Sequence, residues 1–360
     1  MQGIAGALLT PSSLAVIVAT FEGDERGAAI GTWTAWSGIS TVIGPLFGGW
    51  LLGFASWRWL FLINVPLVAI TLALVLMVVP QRERSAGRVR VDFVGAVLCV
   101  LGLGGTVFAF IEQPRLGWGH PAIVGSLAGG IVVFVLFVLY EARASQPMLP
   151  LRLFASRNFS VTNVETLFVY AGLSTLAFFL VLFLQQIAGY SPFKSGFALL
   201  PVTIVLFGLS PRIGRLSSKL GPRLFMGAGP IVAGLGLLPL LRMSPRMSYW
   251  TDLLPGVVVF SLGLAMTVAP LTATVLSEAG QRDAGIASGV NNAVARVAGL
   301  LGIALVGLAV ANRANRLTAH GFHVAMLITA ALVVAGGVIG AIGIRNPKRA
   351  PRGLAGADAS

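Results

Sequence analysis

Long apolar runs separated by short polar connectors fill the chain from end to end, near 3–21, 29–53, 59–80, 93–111, 121–140, 160–186, 195–210, 224–241, 253–276, 286–311 and 322–344. A helix needs about 20 apolar residues to cross the hydrocarbon core of a bilayer. Inside lipid it must satisfy its own backbone hydrogen bonds, so helices are the open choice for segments of this length. The pattern therefore predicts an all-α membrane protein with eleven transmembrane helices. The shortest run, 195–210, carries Pro201.

Orientation follows from the basic residues of the connectors. Counted from the first span, the odd connectors and the C-terminal tail hold Arg26, Arg82, Arg84, Arg88, Arg90, Arg143, Arg152, Arg157, Arg212, Arg215, Lys219, Arg223, Arg282, Arg345, Lys348, Arg349 and Arg352. The even connectors hold Arg58, Arg115, Lys194, Arg242, Arg246, Arg313 and Arg316. Seventeen against seven puts the first group in the cytoplasm, the tail with it, and residue 1 outside. No charged leader or cleavage site precedes the first run. An outside N-terminus without one suggests a missing upstream segment.

Composition sharpens the choice. Of 360 residues, 56% are hydrophobic and 10% charged, against about 25% charged in soluble domains. The net charge of +13 raises nucleic-acid binding, which needs basic residues gathered on one face. Here they sit singly or in small groups between apolar runs, so the expected partner is the lipid bilayer and not nucleic acid. Cys99 stands alone in an apolar run, which excludes an intramolecular disulfide. His120, His320 and His323 fall at connector edges without carboxylates or thiols beside them, so no metal site is expected. A membrane-embedded enzyme would need paired carboxylates or histidines at one depth, and none is seen.

The second span reads Gly31-Thr-Trp-Thr-Ala-Trp-Ser-Gly-Ile-Ser-Thr-Val-Ile-Gly44-Pro45-Leu-Phe-Gly48-Gly49. Glycines so spaced open a groove for another helix backbone, and Pro45 removes a helical hydrogen bond. Ordinary helix packing would account for this. The run also resembles the antiporter motif of the major facilitator superfamily. Gln2-Gly3-Ile4-Ala5-Gly6-Ala7 with Pro11 is similar to the opening of that family's fourth helix. Trp57-Arg58-Trp59-Leu60-Phe61-Leu62-Ile63-Asn64-Val65-Pro66 looks like the entry to the sixth helix of its fourteen-span drug:proton antiporter branch. Leu184-Gln185 with Gly189-Tyr190-Ser191-Pro192, and Gly289, Asn292, Arg296, Gly299 and Gly302, resemble that branch's second half.

The resemblance implies a major facilitator fold, with the eleven spans equivalent to helices four to fourteen and the first three-helix repeat absent. Residues 1–80 would complete an N-terminal bundle, 81–145 form two linker helices, 146–345 a C-terminal six-helix bundle, and 346–360 a cytoplasmic tail. It implies a bacterial plasma-membrane exporter of amphipathic or cationic drug-like molecules, coupled to protons and needing no cofactor beyond the proton gradient. The alternative is a truncated, transport-inactive membrane protein. No Gly-x-x-x-x-Gly-Lys-Ser/Thr run is present to hold a nucleotide.

Candidate site residues follow. Gly214, Lys219, Gly221 and Arg223 lie in a stretch resembling the family's cytoplasmic loop signature, which implies a gate latch working on helix dipoles. Ser218 stands where that signature has an acid, and a basic loop that merely sets topology is the other reading. Glu165 sits about 9 Å into its helix at 1.5 Å per residue. Ionisable groups inside a span are costly and tend to be functional, so it is either the proton-exchanging carboxyl or an acid reaching interfacial water. Arg296, deeper still, would pair with Glu165 or with backbone carbonyls as a gate element. Phe168, Tyr170, Phe179 and Gln186 share the helix of Glu165 and are candidates for an apolar, aromatic drug cavity, or else pack against lipid and neighbouring helices.

Overall fold

A computed structural model describes residues 9, 12–14, 16–52, 56, 58–78, 92–145, 147–310 and 317–346. After a helical segment over 16–20 come α1 (Gly23–Leu52), α2 (Trp59–Leu62), α3 (Asn64–Val78), α4 (Phe93–Leu116), α5 (Pro121–Glu141) and α6 (Arg157–Gln186). Then follow α7 (Pro192–Ala198), α8 (Leu200–Leu220), α9 (Pro222–Gly236), α10 (Leu254–Val310) and α11 (Ala319–Gly343). Among the described residues no strand occurs, and nine stretches are long and apolar enough to cross a membrane. The thirty-residue α1 occupies the expected second span. The first expected span, 3–21, falls largely outside the described residues, as do Arg82–Arg90.

Local chemistry sets the helix ends. Asp92 caps α4 by accepting from the Gly95 amide at 2.8 Å, and Thr318 caps α11 through the Gly321 amide at 3.0 Å. Ser191 caps α7 through the Lys194 amide, with Pro192 at its first position. Such caps satisfy backbone donors that a helix start leaves unpaired, and proline there loses nothing.

Two connectors are shorter than the hydropathy pattern predicts. The expected loop from Gly214 to Arg223 is mostly helix: α8 runs on to Leu220, and Gly221 alone joins it to α9. Gly221 has φ 92°, a conformation open to glycine. The helix continues past its apolar part because Gly214 and Ser217 stay buried. Similarly, α10 holds two expected spans separated only by a break at Gly280, where φ is 68°.

Helices α6, α9, α10 and α11 pack into one bundle, α6 lying against both α10 and α11 and α9 against the same two. Phe183 and Phe322 meet in its core with ring centroids 4.3 Å apart. Glycines permit the close crossings: a β-carbon at Gly337 would lie 2.7 Å from the Gly227 carbonyl. α4 pairs with α5, while α1 lies along α8 and touches α10. Outward faces are apolar, with Leu67, Ile70, Leu74 and Met77 of α3 all exposed, as suits a helix bathed in lipid.

Candidate functional site

Glu165 lies on α6, fully buried, and neither of its carboxyl oxygens has a hydrogen-bonding partner among the described residues. The space it fills belongs to α11 and α9. A β-carbon on Gly340 would lie 2.5 Å from Glu165 Oε2 and 2.7 Å from the Met226 carbonyl. Glycine at 340 is therefore what makes room for the acid. Burial without a partner is costly for such a group, so it is not held there by bonding.

Arg296 is on the other side. Its helix, α10, packs on the α6 face that bears Asn163, Thr166, Ala171 and Ser174: Asn291 reaches Thr166 and Asn163, and Gly299 and Gly302 abut Ser174 and Ala171. The Arg296 side chain is exposed. The pairing of Arg296 with Glu165 that the sequence left open is not formed.

The aromatic candidates divide as well. Phe179 is buried in the bundle core, with Phe178 edge-on to it at 5.2 Å. Phe168 and Tyr170 are half-buried and Gln186 is exposed at the end of α6. Phe168 abuts the glycine at 336 of α11. The four thus sit in different settings along α6, from the bundle core to its exposed end.

The glycine motif forms a seam. Gly27 and Gly31 of α1 lie against the backbone of Gly214, Ser210 and Pro211 of α8, so α1 and α8 touch main chain to main chain. Among the described residues nothing lies within 4 Å of a β-carbon placed at Gly44. Pro45, Gly48 and Gly49 lie in α1, but their surroundings fall outside the described residues. Lys219 is exposed on the last turn of α8. Arg223 donates from Nε to the Ala341 carbonyl at 2.7 Å, and its amide donates to Asn346 Oδ1 at 3.1 Å. Arg157 donates to the Gly343 carbonyl at 2.8 Å. Two arginines thus hold the C-terminal carbonyls of α11, where positive charge is favoured.

Two polar constellations escaped the sequence reading. Asn291 Nδ2 donates to Thr166 Oγ1 at 2.8 Å and to Asn163 Oδ1 at 3.3 Å, bridging α10 and α6 inside the bundle. The spacing of Thr162, Asn163 and Thr166 along one helix within an apolar span was a signal for it. At the arginine-rich end, Glu278 accepts from Ser156 and from Asn158 at 2.9 Å, while Asp283 pairs with Arg152 at 2.8 Å. These flank the Gly280 break, and only the folded chain brings residues more than a hundred positions apart together. Asp92, the cap of α4, is half-buried and also accepts from the Tyr140 hydroxyl at 3.2 Å. Among the described residues no group of His, Cys, Asp and Glu could hold a metal ion.

A bundle of lipid-length helices with apolar outward faces and a glycine seam is the build of a multi-pass membrane protein. The sequence signature of the Major Facilitator Superfamily matches residues 1–303, and the chain belongs to that family. It is 32% identical over 307 residues to the "Multidrug resistance protein Stp" of Mycobacterium tuberculosis, covering 85% of this chain and 57% of the relative. It is 35% identical over 314 residues to the "Puromycin resistance protein pur8" of Streptomyces alboniger, covering 85% and 61%. It is 33% identical over 324 residues to the "Tetracenomycin C resistance and export protein" of Streptomyces glaucescens, covering 87% and 58%. The chain spans about three-fifths of the length of these curated relatives.

Proposed function

We propose that the protein exports amphipathic or cationic small molecules across a bacterial plasma membrane by alternating access, driven by inward proton movement, as in the fourteen-span antiporter branch. Three relatives whose names speak of drug or antibiotic resistance or export support the substrate class. The observation that supports the coupling is Glu165: a fully enclosed carboxyl with no partner on either oxygen among the described residues. A carboxyl so enclosed can exchange a proton only when water or a cation reaches it. Opening of the α6–α9–α11 packing would expose it, which ties proton release to a change of shape. The polar bridge of Asn291, Asn163 and Thr166, on the opposite face of α6, offers hydrogen bonds toward α10 without charge.

The test is efflux of a cationic dye from a pump-deficient bacterial host expressing the chain. Glu165→Gln should abolish the dependence of efflux on the proton gradient while membrane insertion stays at the wild-type level. Unchanged efflux from a well-inserted variant removes Glu165 from the mechanism. Absence of any dye efflux by the parent chain overturns the proposed activity itself.

A further inference from the structure

Between α9 and α11, at the end where α6 and α9 begin and α8 and α11 finish, the surface is cut by a groove of about 440 Å³, within the roughly 300–1,000 Å³ that small ligands occupy. Its mouth is polar: the Arg223 side chain and the Asn346 amide line it. Its remaining wall is apolar, with Leu224, Ala228 and Ile231 on α9 and Ala341 on α11. From Arg223 to Ile231 the groove follows α9 for about 12 Å at 1.5 Å per residue. Half of a hydrocarbon core is about 15 Å deep, so the apolar part would run through most of one leaflet. The neighbouring positions Leu235, Val338 and Ile342 are exposed and apolar, which turns the groove toward lipid rather than toward an aqueous path.

The charge in it is one-sided. Arg223 uses Nε to hold the Ala341 carbonyl, and its two terminal nitrogens have no hydrogen-bonding partner among the described residues. Among the described residues no acidic side chain lines the groove. A guanidinium with free donors recognises phosphate oxygens well. A zwitterionic headgroup would find its phosphate there but nothing to take its ammonium. The arginine bias assigns this end to the cytoplasm, where the leaflet carries anionic lipid.

We propose that this groove is a binding site for one anionic phospholipid of the cytoplasmic leaflet, its phosphate on Arg223 and Asn346 and one acyl chain laid along Ala228 and Ile231. The lipid would brace the α9–α11 crossing, where the Gly337 backbone already sits against Gly227.

The experiment uses the full chain purified with an equimolar mixture of phosphatidylglycerol and phosphatidylcholine, with retained lipid counted by native mass spectrometry. One phosphatidylglycerol per chain is expected, preferred about fivefold for the single cationic side chain involved. Arg223→Gln should erase the preference. Ala228→Phe should erase retention too, by filling the groove while leaving the Arg223 contact with Ala341 intact, so it guards against a simple loss of the cap. Equal retention of the two lipids by the parent chain overturns the site. So does an undiminished phosphatidylglycerol count in monodisperse Ala228→Phe, or displacement of the lipid by millimolar glycerol phosphate, which would leave the apolar groove without a part.

Discussion

Gly27 and Gly214 meet backbone to backbone, so that a β-carbon on either would run into the other's carbonyl group. The obstructing atoms are main chain and cannot swing aside. Four residues along α1, a β-carbon at Gly31 would likewise press on the Ser210 carbonyl and on Pro211 Cα. Gly31→Ala and Gly214→Ala should therefore separate α1 from α8 at a cost of about 1–3 kcal/mol for forced overpacking. Gly44→Ala should be silent, because among the described residues nothing lies within 4 Å of a β-carbon there. Thermal unfolding of purified variants in detergent distinguishes the positions. Equal midpoints for Gly31→Ala and Gly44→Ala would sink the seam.

The seam also shows what the sequence could and could not tell. Helix class was legible, and among the described residues nine of the eleven expected spans are long and apolar enough to cross a membrane, because hydropathy alone decides whether a segment enters lipid. That a glycine-spaced α1 would seek another backbone was legible too, yet its partner was not. Gly214 reads as part of a polar loop, and only its burial against Gly27 shows α8 continuing to Leu220. For Glu165 depth along the helix was readable, but direction was not. Whether it faced Arg296 on α10 or Gly340 on α11 depends on how α6 is rotated within the bundle, and that is fixed by contacts distant along the chain. Arg223 was readable as a residue that tends a helix dipole, but the helix it tends is α11 of the same bundle.

The Asn291 bridge predicts a graded response. Its side chain is the tie between α10 and two polar residues of α6, whereas Asn292 bonds only to Ser288 of its own helix. Hydrogen bonds between membrane helices are worth on average about 0.6 kcal/mol and up to roughly 1.7 kcal/mol. Asn291→Leu should fall near the upper figure, since it also strands the Asn163 carbonyl oxygen. Asn292→Ala should change stability much less. Denaturant-dependent unfolding in mixed micelles provides the comparison, and a larger loss for Asn292→Ala would contradict the assigned geometry.

At the arginine-rich end, two acids with similar sequence surroundings should behave differently. Asp283 pairs with Arg152, whose side chain is 66% exposed, and pairs of that kind contribute about 0–1 kcal/mol. Glu278 instead accepts from Ser156 and Asn158 at the N-terminus of α6, where a negative charge is favoured by the helix dipole. Removing it takes the acceptor from Ser156 and leaves Asn158 with the Arg345 carbonyl alone, at about 1–3 kcal/mol. Glu278→Ala should therefore lower the thermal midpoint distinctly more than Asp283→Asn. Raising salt should weaken the Arg152–Asp283 contribution further while leaving most of the Glu278 effect. The reverse ranking would mean that the solvent-facing pair, not the capping acid, secures the Gly280 break.

Sidedness can be read with the chain's own chemistry. Cys99 is the one cysteine, so Cys99→Ser gives a background in which single cysteines report exposure to a membrane-impermeant maleimide in intact cells. Arg152, Arg215 and Arg345 lie at the end where α6 and α9 start and α8 and α11 stop, whereas Lys194 and Arg246 lie at the other end. Lys/Arg-rich connectors remain on the cytoplasmic side. Cysteines at 194 and 246 should accordingly label from outside, and those at 152, 215 and 345 only after permeabilisation. Position 215 is the most informative of these, because α8 carries it beyond the stretch that hydropathy assigned to the membrane. Labelling of 215 together with 194 from outside would require α8 to end before it crosses. That outcome would remove both the Gly27–Gly214 contact and the cytoplasmic assignment of the arginine-rich end.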